Sequence, residues 1–369
     1  MGTGGLNVAN GLSRVKTIAR TWSTAARNLT LGRDEALPAV PVPPPPRSYA
    51  VDADIPVDIG CIKVFRAENF PESGPSPWLD RPDALETIER RIARGEITAK
   101  QAEICRYWTE HGYYVARGAI DPDTIDEAWA AYEAAIARGD LTLSPEKAAE
   151  DDPHPGRYLN PHLKVEELDQ LLKHPVLVNF SSMVLGRPAI PFQTIASHKG
   201  SQQSEHSDSI HMTTYPLGYL AACWIAMEDI HADCGPLVYY PGTHRLPYLF
   251  SHDVGISTDE FRERGYSAYA ERYEPAIKRE IADHGAEPQH FLARKGDVLF
   301  WHANLLHGGS ARIDMRPSRK ALVHHYFAEG CICYHDLSSS TSAVHGPVDS
   351  LPTCGASSPD IRVRAKILS

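Results

Sequence analysis

The chain reads as two textures in succession. From about residue 85 to 140, "DALETIERRIARGEITAKQAEICRYWTEHGY" and "DPDTIDEAWAAYEAAIARG" carry apolar residues at steps of three and four, the spacing of one helix face. Gly95 punctuates the first stretch into two helices, and Thr98 is placed to cap the second. Asp121 and Pro122 open a third helix that closes at Gly139. Between them "HGYYVARGAI" is short and rich in β-formers, so a strand is expected, and residues 165–183 read as one more helix. After about residue 190 the period shortens. "YLAACWIAMEDI", "PLVYYPGTH", "DVLFWHANLLH" and "KALVHHYFAEG" are strand-like runs separated by Gly, Pro, Asp and Asn, as in an antiparallel β-sandwich or barrel. A polar, helical segment over about 250–290 interrupts that core and is a candidate substrate lid.

The N-terminal region has a third texture. Residues 1–33 hold no acid and five bases, with Val8, Leu12, Val15, Ile18, Trp22, Ala26 and Leu29 on one helix face. An organelle-targeting peptide and a membrane-surface helix both fit this pattern. The preferred reading is an arm that docks on its own domain or on a second copy of the chain, giving a homodimer. "LPAVPVPPPP" follows, a stiff extended spacer with few amide donors.

Composition narrows the function classes. At 42% apolar residues the 369-residue chain can bury a sizeable core, and its formal charge of -10 argues against duplex nucleic acid as partner. Seven scattered cysteines suggest reduced thiols and a cytoplasmic protein. No run approaches the roughly 18 apolar residues of a membrane span.

The chemistry concentrates in "SEHSDSIHM", residues 204–212. In a strand, His206 and Asp208 project to one face and His211 to the other, so H-x-D is a natural two-ligand unit for a metal. A third ligand has to come from elsewhere, and "KGDVLFWHANLLHGGS" offers His302 and His307. Two histidines and a carboxylate on one face of an octahedron mark non-haem Fe(II) oxygenases, whereas zinc hydrolase sites close around three ligands and a water. Such oxygenases commonly take 2-oxoglutarate, whose far carboxylate suits a planar guanidinium. Arg319 opens the strand-like "RKALVHHYF", while Arg312 and Arg316 fall in a loop-like stretch and are expected in solvent. Of His324 and His325, one should point inward and one outward, and Tyr239 and Tyr240 should alternate between core and surface.

"HSD" at 206–208, "CWIAMEDIHADCGPLVYYPGTHR" at 223–245, "GDVLFWHANLLHGGS" at 296–310 and "RKALVHHYF" at 319–327 together resemble the phytanoyl-CoA dioxygenase family of Fe(II)/2-oxoglutarate oxygenases, over roughly residues 100–330. The resemblance implies an α+β chain: a double-stranded β-helix (jelly-roll, cupin-like) core flanked by N-terminal helices. With the basic N-terminal face and the proline-rich spacer, the sequence is expected to divide into an arm and linker, 1–48, and a single oxygenase domain, 49–369. Within that domain the helical scaffold covers about 80–185 and the β-core about 186–335. The resemblance implies iron on His206, Asp208 and His307, which are also the catalytic set, with His302 not a ligand. It assigns Arg319, Trp224 and, loosely, Gln193 to 2-oxoglutarate. Some relatives carry a Ser where this chain has Gly309, and Thr243 or Thr214 is the candidate to replace its hydrogen bond. His211 and Thr213 are placed on the substrate side.

The implied activity is hydroxylation of an unactivated C–H of a small specialised metabolite, with Fe(II), 2-oxoglutarate and O2, giving succinate and CO2. Desaturation, epimerisation or ring formation at the same iron, an acyl-CoA hydroxylase and a non-catalytic cupin-like metal-binding protein stay open. Asp208 argues against halogenation, since related halogenases lack the carboxylate.

Overall fold

A computed structural model describes residues 76–141, 152–215, 217–329 and 331–337, together with two short strands, Val64–Arg66 and Lys366–Leu368, paired in parallel. The arm and the proline-rich spacer over 1–48 lie outside the described residues. Helices come first. α1 (Ala84–Ala93) is followed by α2 (Ala99–His111), where Thr98 Oγ1 accepts from Gln101 N at 3.2 Å and Gln101 Oε1 accepts from Thr98 N at 2.7 Å. This reciprocal cap satisfies two amides that the first turn leaves without partners. α2 ends at Gly112, in the left-handed region at φ 74°, where a Cβ would approach His244 Nδ1 to 2.4 Å. The chain there turns into β1 (Tyr113–Ala116), and α3 (Pro122–Ala137) follows on its Asp121 cap.

Residues 165–183 form two helices rather than the one expected, α4 (Glu166–Leu172) and α5 (Pro175–Leu185). Proline at the first position of α5 holds His174 at ψ 132°, outside the helical region, and so breaks the run.

Six antiparallel strands form the main sheet: β1, β2 (Arg157–Leu159), β3 (Ala189–Ser197), β5 (Leu220–Ala226), β8 (Val298–His302) and β10 (Ala321–Ala328), in the order β1-β8-β5-β10-β3-β2. A second, smaller set comprises β4 (Thr213–Tyr215) paired with β11 (Ile332–Tyr334), and β9 (His307–Gly309), β6 (Leu237–Tyr239) and β7 (Gln289–His290) in the order β9-β6-β7. Between β6 and β7 lie helices α6 (Thr258–Arg264) and α7 (Tyr266–His284).

Pairing register determines what each face of the main sheet presents. One cross-strand row reads Tyr114, Phe300, Cys223, His324, Thr194, and the next reads Tyr113, Trp301, Ala222, His325, Gln193. Adjacent rows face opposite sides. The first row meets the helices: Phe300 stacks on Phe180 of α5 with ring centroids 3.9 Å apart, and His162 Nδ1 lies 2.7 Å from Thr194 Oγ1. The second row faces the interior between the sheets, which is filled by Trp224, Leu237, Tyr239, Leu299 and Leu305. His324 and His325 thus split across the sheet as alternation requires. Tyr239 and Tyr240 do not split between core and surface, because both are buried. Tyr239 joins the intersheet core, while Tyr240 packs with Tyr269, Tyr273 and Ile277 of the helical insertion, which covers the other face. Among the described residues no helix is long and apolar enough to cross a membrane.

Candidate metal centre

Two segments meet to build the site. Gly308 and Gly309 let β9 lie directly against residues 201–206, since a Cβ on Gly308 would come within 2.8 Å of the Gln203 carbonyl oxygen and one on Gly309 within 2.4 Å of Ser201 Oγ. A serine hydroxyl at position 309 is thereby ruled out by space. His206 and His307 exchange backbone hydrogen bonds at 2.9 and 3.0 Å across an isolated bridge, which sets their rings 4.5 Å apart. Asp208 arrives differently from the strand geometry expected of H-x-D. Pairing stops at His206, Ser207 Oγ accepts from Ser209 N at 3.1 Å, and residues 208–210 form a 3₁₀ turn.

The tautomers follow from the backbone. His206 Nδ1 lies 2.9 Å from the Ser204 carbonyl oxygen and His307 Nδ1 2.9 Å from that of Leu305. A carbonyl only accepts, so each Nδ1 carries the proton and each Nε2 offers a lone pair. These nitrogens stand 3.9 and 3.6 Å from Asp208 Oδ1. One donor atom from each of His206, Asp208 and His307 lies within 4.8 Å of the others, and all three residues are buried. Burial, reinforced by the neighbouring His307, brings His206 down to about 3, so its imidazole is neutral at physiological pH. Burial alone would raise Asp208, but His307 and His325 outweigh it and hold the carboxyl below its usual range. Two imidazole nitrogens and one carboxylate oxygen suit a ferrous ion with open positions.

The other oxygen of Asp208 is engaged by protein. Trp301 Nε1 donates to Oδ2 at 2.7 Å, and His325 Nε2 lies 3.6 Å from the same atom. Both come from the inward row of the main sheet, which therefore orients the carboxylate so that Oδ1 faces the histidines. Trp301→Phe, which removes only this donor, is expected to weaken Fe(II) binding by about 10- to 100-fold, as loss of a ligand's supporting partner does. Anaerobic Fe(II) titration checks this, and unchanged affinity would dismiss the orienting role.

Arg319, 4% exposed, is held by backbone carbonyls only, with Nη1 3.4 Å from Gly235 O and Nη2 3.2 Å from Lys199 O, and its Nε has no partner. Burial lowers it to about 10, so it stays charged at neutral pH. Among the described residues no carboxylate pairs with it. Its guanidinium carbon sits 5.4 Å from the Trp224 ring centre. A buried cation lacking an acid, beside an aromatic wall, fits the far carboxylate of 2-oxoglutarate. Gln193, also buried, pairs in register with His325 and so faces the same interior.

Several expected residues are placed elsewhere. Thr243 Oγ1 donates to Tyr240 O at 2.7 Å and accepts from Leu306 N at 3.0 Å, so its proton serves a turn beside His307 rather than a cosubstrate. Thr214 Oγ1 accepts from Tyr219 N at 3.1 Å, and Thr213 Oγ1 donates to Ser209 O at 2.5 Å. His302 lies outside the cluster, with Nε2 3.0 Å from Asp80 Oδ2 and Nδ1 accepting from Asn304 N. Arg312 is buried, not solvated, and pairs with Asp152 at 2.6 Å across 160 residues of sequence, while Arg316 is exposed on Asp314. His211 stands next to the cluster, its ring 5.6 Å from that of His206.

A family model described as Phytanoyl-CoA dioxygenase (PhyH) matches residues 108–320, more than half of the chain. The chain belongs to this family. The phytanoyl-CoA dioxygenase family comprises Fe(II)/2-oxoglutarate-dependent oxygenases, and the chain is placed among them. Its relatives include the peroxisomal phytanoyl-CoA dioxygenase of Rattus norvegicus, 24% identical over 288 residues that cover 69% of this chain and 80% of that protein. The Homo sapiens protein of the same name is 26% identical over 173 residues, covering 44% and 45% of the two chains, so this match spans under half of the human protein. Among solved structures, EctD from S. alaskensis in its apoform shares the fold at a TM-score of 0.51, with 17% identity and coverage of 73% of this chain and 88% of that one.

Trp301, His325 and Gln203, whose Nε2 lies 3.3 Å from His206 Nε2, were not singled out by sequence. Only the register that sets Trp301, Ala222 and His325 side by side identifies the first two. Alternation alone left open which of His324 and His325 points inward.

Proposed function

We propose that this phytanoyl-CoA dioxygenase family member hydroxylates an unactivated C–H of a small specialised metabolite, with its sheets read as a double-stranded β-helix. The observation that carries the reading is a triad with one carboxylate oxygen immobilised by Trp301, together with a buried arginine that pairs with no carboxylate among the described residues. When bound, Fe(II) and 2-oxoglutarate supply the oxidation of the C–H by O2, with succinate and CO2 as coproducts. The protein's part is positional. His206 and His307 offer Nε2 atoms aimed by backbone carbonyls, Asp208 offers Oδ1, and Arg319 with Trp224 clamps the cosubstrate's distal end. The insertion carrying α6 and α7 is proposed as the lid that keeps water out.

An acyl-CoA substrate is less well supported. Arg262 and Arg264 are engaged by Asp259, Glu260 and Glu271, and Arg245 donates to Thr109 O, so none is set aside for a pyrophosphate. A cytoplasmic location belongs to the same proposal and is supported by the buried thiols of Cys105, Cys223 and Cys234, which form no disulfide. The test is succinate formation from 2-oxoglutarate that requires Fe(II) and rises with substrate, with the product gaining one oxygen. A product lighter by two hydrogens would reassign the reaction to desaturation, and absence of Fe(II) binding would remove the proposal.

A further inference from the structure

Next to the triad, on the side of the helical insertion, three buried polar atoms have no partner. Both ring nitrogens of His211 are shielded from solvent and unbonded, and so is the hydroxyl of Tyr269, a residue only 5% exposed. An unpaired buried polar group is costly, so three together on one wall of a site point to groups that arrive with a ligand. The wall itself is made of rings. His211 lies 5.3 Å from Tyr269, 6.0 Å from Tyr266 and 5.7 Å from His335, measured between ring centres, and Phe261 borders both Tyr266 and His335. Tyr266 is 55% exposed at the outer end, and His211 is 5.6 Å from His206 at the inner end. The rings therefore run without a break from solvent to an iron ligand.

Charge is scarce along this path. Of the cations of the insertion, Arg262 pairs with Asp259, Arg264 with Glu260 and Glu271, and Arg272 with Glu260, while Lys278 and Arg279 lie exposed farther along α7, beyond the tyrosines of this wall. Arg157, which acts on both His206 and His211, is bonded to Gln203 Oε1 at 3.3 Å. A phosphorylated or zwitterionic ligand would find no cation set aside for it there. Flat apolar surface with a few fixed donors and acceptors instead suits a ring system bearing hydroxyl or carbonyl groups.

We infer that His211 and Tyr269 form the substrate-recognition pair of this site, and that the substrate is an uncharged, oxygenated ring compound stacked on Tyr266 and Tyr269. This rests on the oxygenase reading for its placement beside the iron. The neutral imidazole both donates and accepts, and the Tyr269 hydroxyl donates, so together they fix the orientation of ring substituents. Stacking supplies the affinity.

The test uses the full chain and 2-naphthol as probe, followed by calorimetry with and without Fe(II) and 2-oxoglutarate. Binding is expected in both states. His211→Phe keeps the ring and loses the nitrogens, and Tyr269→Phe loses only the unpartnered hydroxyl, so neither disturbs an existing hydrogen bond. Each variant is expected to weaken 2-naphthol by about tenfold, the effect of one lost hydrogen bond. Unchanged affinity in both variants overturns the inference. So does binding of octanoyl-CoA or L-proline that displaces 2-naphthol with higher affinity. If Fe(II) fails to bind while the variants still weaken 2-naphthol, the oxygenase reading falls and the recognition pair stands.

Discussion

Asp208→Ala is expected to abolish iron retention and to cut substrate-dependent succinate formation by at least about a thousandfold, equivalent to some 4 kcal/mol of barrier. Asp208 is the single anion in a cluster whose other donors are imidazole nitrogens, and burial brings His206 down to about 3. Without the carboxylate, a divalent cation would sit in a buried site with no opposing charge, which is strongly unfavourable. The change also strips Trp301 Nε1–H of its acceptor at 2.7 Å, an unsatisfied donor costing about 1–3 kcal/mol of stability. Asp208→Asn separates the two effects, because the amide oxygen still accepts from Trp301 while the charge is gone. Stability near wild type with iron lost is the expected result. Metal analysis after gel filtration, with a succinate assay, decides it, and turnover surviving in both variants would end the assignment of this cluster as the iron site.

The second large effect is expected at Arg319. Arg319→Gln should raise KM for 2-oxoglutarate by about 100-fold, while kcat at saturation falls much less, because truncating one partner of a buried, hydrogen-bonded charge pair costs roughly 2–5 kcal/mol. The guanidinium is 4% exposed, tethered by the Gly235 and Lys199 carbonyls, and flanked by the Trp224 ring. A cation in such a place without an acid is costly until a carboxylate enters. Arg319→Lys keeps the charge but loses the planar fork, so its KM should lie between the two. Steady-state kinetics in 2-oxoglutarate, with anaerobic titration of the visible charge-transfer band, provides the measurement. A KM for Arg319→Gln within about threefold of wild type, less than the effect of one ordinary hydrogen bond, would move the cosubstrate elsewhere.

The sequence was most readable where chemistry and local pattern coincide. His206, Asp208 and His307 stand in short motifs whose residue types are rare in combination, and the capped start of α2 at Thr98 is a purely local signal. H-x-D led to side chains that the fold gathers although the backbone there is a bridge followed by a 3₁₀ turn, since both geometries bring residues 206 and 208 near one point. What could not be read depends on distant partners. Arg312 looks like a loop cation until Asp152 is found against it, and Tyr240 looks exposed until the insertion folds over it. Trp301 belongs to the site only through pairing register, and Thr243 loses its assigned role only because Tyr240 and Leu306 use its hydroxyl.

The carbonyls of Ser204 and Leu305, each leashing the imidazole two residues downstream, carry a wider consequence. Ring pose at both histidines is dictated by main chain already secured by the 206–307 bridge, not by the ion. Metal entry then needs no rotamer search, and stripping with a chelator is expected to leave the same cradle behind. A protein built this way can lose its iron in one environment and recover it in another without refolding.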